Sequence, residues 1–219
     1  FSELNSKEGT NKTNELIRNA GKMPFLGPNC YGFINYLDRI SVWSDQVAGK
    51  PTKKGVAIIC QSGTIGNTIS FNNRSLPIGY IISLGNQSQI TIEDAINYAL
   101  DDKRVTAIGI YAESFINTEK LIKVFKKSRF KKIPIALVKV GRSKTASKTI
   151  LTHTGSLSGK EDIYDSLFQR MGVARCNTLG ELCEILKLLH THGALNNDKI
   201  SIMGPSGGDM AMIGDVAES

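Results

Sequence analysis

The sequence predicts an α/β protein built on a doubly wound parallel sheet, and three observations carry that expectation. Short, almost wholly apolar runs recur, VAIIC at 56–60, AIGIY at 107–111 and IPIALVKV at 133–140, as strands buried on both faces require. Stretches with helical periodicity alternate with them, at 91–100 and 118–128, where crossover connections belong. Several apolar runs end in small-residue turns such as CQSG and SLGN, and ligands of open α/β sheets gather outside strand C-termini.

Taken in order, the chain opens with one helix at 13–21, followed by PFLGPNCYGFIN, a section too short to fold by itself. The complete unit comes next: strand 55–60, a helix from Thr64, strand 78–83, helix 91–100, strand 106–111, helix 118–128 and strand 133–140. Two further helices follow at 160–171 and 179–190, with 173–176 between them as an edge strand. A strand at 199–203 then runs into GPSGGDM and the start of another helix.

The 219 residues, 41% of them hydrophobic, suffice for a proper core. No run approaches the ~18–20 apolar residues of a membrane span, and FSELNSKEGTNK has no signal-peptide pattern. The expectation is a cytoplasmic protein with no membrane partner. Cys30, Cys60, Cys176 and Cys183 form no CxxC pair, so free thiols are expected, with neither a metal site nor a disulfide framework. The net charge of +7 suits anionic ligands such as nucleotides or CoA, and equally suits plain solubility. Its densest run, Lys120 to Lys132, reads as a solvated helix face.

Chemistry concentrates at four places. IICQSGTIG (58–66) and SIMGPSGGDM (201–210) each place a strand, a glycine turn and a helix N-terminus in succession, a design that presents backbone N–H groups and a partial positive charge to an anion. Each is also the ordinary strand-to-helix joint of such a sheet. His153 lies in THTGSLSG (152–159), a polar loop with no apolar face to pack it and no second His or Cys to share a metal. Glu113, in IYAES, falls just beyond the strand 107–111, at the rim expected for the His153 loop, where a carboxylate can orient an imidazole and stabilise its cation. From spacing alone it is equally a capping or solvated acid.

GPNCYGFIN, CQSGTIG, SLGN, the acid of IYAES, VKVGRS before THTGSLSG, and PSGGDM, in this order, resemble the NDP-forming acyl-CoA synthetases: ADP-forming acetate–CoA ligases and, more distantly, the succinyl-CoA synthetase α-subunit. The likeness spans nearly the whole chain. It implies a flavodoxin-like doubly wound parallel sheet at 50–195, preceded at 1–49 by the end of a CoA-binding, Rossmann-like domain and followed at 196–219 by the start of a second flavodoxin-like domain.

By the same resemblance, His153 corresponds to the histidine that is transiently phosphorylated and Glu113 to the carboxylate that steadies it. Ser62, Gly63 and Thr64 correspond to one helix N-terminus that grips the phosphoryl group; Ser206, Gly207 and Gly208 resemble the opposing one, and Gly155 belongs to the mobile histidine loop. Asn29, Cys30, Gly85 and Asn86 are placed near acid or CoA by location and resemblance, Cys30 as a structural residue. The implied substrates are CoA or acyl-CoA, phosphate and ADP or ATP. Nucleotide and Mg would be held by an ATP-grasp domain or β-subunit outside this chain, in an oligomeric full enzyme that binds no nucleic acid. Two other readings remain: a synthetase-like acyl-CoA sensor fused to a protein acetyltransferase, and a flavodoxin-like nucleotide- or flavin-binding module, which would have no use for His153 and Glu113 together.

Overall fold

The structure is a computed structural model, and it describes residues 7–143, 145, 161–195, 199 and 201–218. Seven strands form one sheet: β1 (Gly32–Asn35), β2 (Ile40–Trp43), β3 (Gly55–Cys60), β4 (Ile78–Ser83), β5 (Val105–Ala112), β6 (Ile135–Lys139) and β7 (Ala174–Cys176). The helices are α1 (Lys7–Ala20), α2 (Gly63–Ser70), α3 (Ile92–Asp101), α4 (Thr118–Lys131), α5 (Glu161–Met171), α6 (Leu179–His192) and α7 (Gly207–Ala217).

The strand order is β2-β1-β4-β3-β5-β6-β7. From β4 to β7 every pairing is parallel, and the order 2-1-3-4-5 within these five strands is the flavodoxin-like one. All six residues of β3 are buried, because its alternate side chains enter two different cores. Ala57 and Ile59 join the cluster under α3, α4 and α5, with Phe125 and Phe168. Val56, Ile58 and Cys60 join the cluster under α2 and α6, with Ile69, Leu182 and Leu186. Removing a buried aromatic such as Phe168, 1% exposed, should cost about 3–5 kcal/mol.

Local chemistry fixes the helix ends. Thr91 and Asp94 form a reciprocal capping box at the start of α3, and Lys132 ends α4 in the left-handed region at φ 56°. The basic run along α4 faces the acids of α3: Lys120 meets Asp94 at 2.5 Å, and Lys127 and Lys131 meet Asp101 at 2.9 and 2.6 Å. Those lysines are therefore partnered while keeping the solvated face that the sequence suggested.

Three features depart from expectation. The sheet is mixed, because β1 pairs antiparallel with both β4 and β2. GFIN is too short for alternation to reveal it, and its ladder is completed by β4, more than forty residues away. The expected strand at 199–203 is not formed at the described positions 199 and 201–203: Ile202 and Met203 are 44% and 98% exposed, and among the described residues no strand of the sheet pairs with them. The helix at 13–21 begins earlier than its pattern suggests, at Lys7.

Candidate active site

The topological switch point of the sheet lies between β3 and β5, where the chain departs first to β4 and later returns. A cavity of about 120 Å³ opens there, lined by Asn29, Tyr31, Gln61, Ser62, Gly63, Thr64, Gly85, Asn86 and Glu113. Four separate segments thus meet at one sheet end: the NCYG turn, the β3–α2 joint, the turn after β4 and the residue after β5.

The β3–α2 joint supplies the anion-binding character. Ser62 caps α2, its Oγ accepting from Ile65 N at 3.5 Å while its carbonyl accepts from Gly66 N at 3.2 Å. The N–H groups of Gly63 and Thr64, at the first helical turn, have no acceptor within the helix, and the helix dipole adds roughly half a positive charge at this end. Gly63 is obligatory for space, since a Cβ there would fall 2.1 Å from the Tyr31 ring.

Glu113 is 8% exposed and is set by its backbone. Gln61 Oε1 accepts from the Glu113 and Ser114 amides at 2.8 and 3.0 Å, and Gln61 Nε2 donates to Ser114 Oγ at 3.4 Å. Gln87 adds a second tie, Nε2 to the Ser114 carbonyl at 3.3 Å and Oε1 accepting from Ile92 N at 2.8 Å. The turn beyond is held by the buried Glu93, whose Oε1 accepts from the Ile116 and Asn117 amides at 3.1 and 3.0 Å. The negative field of Glu113 reaches Tyr111, whose hydroxyl is pushed up first by burial and then by this carboxylate.

The third wall is the meeting of 27–29 with 85–86. Asn86 N donates to the Pro28 carbonyl at 2.9 Å, Ser88 N to the Gly27 carbonyl at 3.1 Å, and Asn29 Nδ2 reaches Asn86 Oδ1 at 3.5 Å. Gly85 adopts φ +53°, and a Cβ on it would lie 2.3 Å from the carbonyl oxygens of both Pro28 and Asn29, so only glycine permits this approach.

Of the residues singled out from the sequence, Asn29, Ser62, Gly63, Thr64, Gly85, Asn86 and Glu113 converge on the cavity. Cys30 does not line it, and burial pushes its thiol up, away from nucleophilic reactivity. Ser206 caps α7, accepting from Asp209 N at 3.5 Å, but this helix has no buried residue, and Ser206, Gly207 and Gly208 are not brought to the cavity. His153 and Gly155 lie outside the described residues. Tyr31 and Gln61 escaped the sequence reading; Gln61 stood inside the CQSG motif, while Tyr31 carried no signal beyond its place in NCYG.

Among the described residues, no three His, Cys, Asp or Glu side chains could share a metal, and no helix is long and apolar enough to cross a membrane. Residues 53–189 match the succinyl-CoA ligase like flavodoxin domain. The chain is 34% identical over 210 residues to the ADP-forming acetate–CoA ligase of Methanocaldococcus jannaschii, covering 95% of this chain and 29% of that protein. It is 33% identical over 214 residues to the α-subunit of ADP-forming acetate–CoA ligase II from Pyrococcus furiosus, covering 95% and 46%. A dinucleotide-forming acetyl-coenzyme A synthetase 1 from Ca. Korarchaeum cryptofilum, solved with phosphate and ADP, superposes with a TM-score of 0.83 at 25% identity, over 100% of this chain and 47% of that one. The chain therefore spans less than half the length of each of these proteins. A matching domain over most of its length, the 2-1-3-4-5 strand order and the cavity at the switch point agree, and the chain belongs to the succinyl-CoA ligase like flavodoxin domain family.

Proposed function

We propose that this chain supplies the phosphoryl-relay part of an NDP-forming acyl-CoA synthetase, interconverting acyl-CoA, phosphate and ADP with acid, CoA and ATP. The observation that carries the reading is the convergence of the α2 N-terminus and the buried Glu113 on one small cavity. The helix end attracts an anionic phosphoryl group while the carboxylate repels it, and a histidine that becomes cationic as it accepts that group suits both neighbours.

In the direction of ATP synthesis, a phosphate oxygen attacks the thioester carbonyl, the C–S bond breaks, and CoA leaves as the thiol after taking a proton. The α2 N-terminus holds the resulting acyl phosphate. An imidazole nitrogen of His153 then attacks phosphorus, the bond to the acyl oxygen breaks, and the carboxylate departs. Glu113 stabilises the ring as it becomes cationic. The phosphoryl group passes from His153 to ADP, held on an ATP-grasp domain or β-subunit. Such transfer needs positioning and charge stabilisation more than covalent help.

The test uses the full enzyme incubated with acyl-CoA and radiolabelled phosphate. An acid-labile, base-stable protein phosphate should form on the wild type, be absent from His153→Ala, and accumulate at least ten times more slowly in Glu113→Gln. Equal labelling of wild type and His153→Ala would remove the relay.

A further inference from the structure

Among the described residues, the cavity at the switch point has one large ring in its wall, that of Tyr31. Its other lining residues are glycine, serine, threonine, asparagine, glutamine or glutamate, so Tyr31 provides the principal apolar surface against which the carbon chain of an acid can lie. The cavity volume of about 120 Å³ is small beside the ~300–1,000 Å³ of sites that take drug-sized ligands. The dimensions of this wall therefore decide which acids enter.

The ring is packed by two neighbours, Trp43 and Gly63. Its edge meets Trp43, with centroids 5.4 Å apart and planes at 69°, a favourable aromatic arrangement. Trp43 is itself tied down, Nε1 donating to Asn67 Oδ1 at 3.3 Å while Asn67 Nδ2 donates to Asp45 Oδ2 at 3.0 Å. The ring also lies against Gly63. Both backbone groups of Tyr31 are engaged: its N–H donates to Ser83 Oγ at 3.0 Å and its carbonyl accepts from Ser44 N at 3.0 Å. Swinging the ring aside would break the Trp43 contact.

We infer that Tyr31, packed on Trp43 and Gly63, is the specificity-determining residue for the acyl group and limits the site to short aliphatic carboxylates. The inference rests on the acyl-CoA synthetase reading and adds the substrate class to it. Tyr31 lies outside residues 53–189 that match the family, so selectivity is set by a segment laid onto the shared domain from before its first strand.

The experiment measures kcat/KM of the full enzyme for acetate and for phenylacetate, in the wild type, Tyr31→Phe and Tyr31→Ala. Each methylene a pocket distinguishes is worth about 10–200-fold. The wild type and Tyr31→Phe should favour acetate by ~100-fold or more, and Tyr31→Ala should narrow the ratio at least tenfold, mainly by accepting phenylacetate. Tyr31→Leu, which keeps an apolar contact with Trp43, repeats the measurement if the alanine variant does not fold. Acid-dependent turnover with a ratio unchanged in the alanine or leucine variant would overturn the Tyr31 assignment alone. A folded wild type with no turnover on any acid would overturn the synthetase reading beneath it.

Discussion

Replacing Gln61 with methionine keeps the length and approximate volume of the side chain while stranding two backbone donors. In the native site Gln61 Oε1 accepts from the amides of Glu113 and Ser114 at 2.8 and 3.0 Å, and all three residues are buried. A buried donor left without an acceptor costs about 1–3 kcal/mol, so two should cost roughly 2–6 kcal/mol, with the weaker Nε2 bond to Ser114 adding little. That is a large share of the ~5–15 kcal/mol by which domains are stable. For a chain of this size it should lower the melting temperature by about 2–4 °C per kcal/mol lost. Thermal and urea unfolding would measure the loss, and hydrogen exchange at the Glu113 and Ser114 amides would locate it. Gln61→Glu keeps an acceptor for both amides and should preserve their protection. A loss below about 1 kcal/mol with unchanged exchange at both amides would refute the claim that Gln61 positions Glu113.

Gly85→Ala should destabilise the chain by more than about 1 kcal/mol and break the Asn86 amide bond to Pro28, because the new methyl would sit 2.3 Å from two carbonyl oxygens; loss of protection at the Asn86 amide checks this. Asp102 is held below the ordinary carboxylate range chiefly by Arg104, then by the Tyr80 hydroxyl at 2.6 Å. Its folded value lies below the unfolded 3.8, so its contribution is present above 3.8 and lost as pH falls towards the folded value; Asp102→Asn should lower stability at neutral pH and flatten the acid limb of a pH–stability curve. Glu161 bridges the fully buried side chain of Lys139 at 3.0 Å and Arg175 at 2.6 Å, and Glu161→Gln should cost about 3–5 kcal/mol near neutral pH. Burial holds Lys139 below its ordinary 10.5, so the unfolded chain binds the extra proton between the two values and stability rises with pH there; urea unfolding should show that rise becoming steeper in Glu161→Gln.

Much of this arrangement could be read from residue order because a parallel sheet buried on both faces writes itself as apolar runs. VAIIC and AIGIY announced β3 and β5, and with them the rim on which Ser62 and Glu113 sit. What escaped depends on distance across the fold. Gln61 acts on an amide 52 residues away, and a buried glutamine looks like any polar loop residue until its partner is known. β1 is four residues long and owes its existence to β4, so no local pattern could reveal it, nor that Tyr31 would be carried over Gly63. At the described positions 199 and 201–203 the expected strand is not formed for the converse reason: apolar residues alone do not make a strand where, among the described residues, no strand completes the ladder.

The antiparallel strand β1 covers the side of β4 that would otherwise be the sheet's edge, presenting Phe33, Ile34 and Asn35 to Ile82, Ile81 and Tyr80. A chain cut at residue 53, where the shared domain begins, would leave that ladder open on an almost wholly apolar strand, an invitation to self-association. It would also lose Asn29 and Tyr31 from the cavity. Solubility and the shape of the site are thus secured by the same few residues, and trimming this protein to its recognisable domain would forfeit both at once.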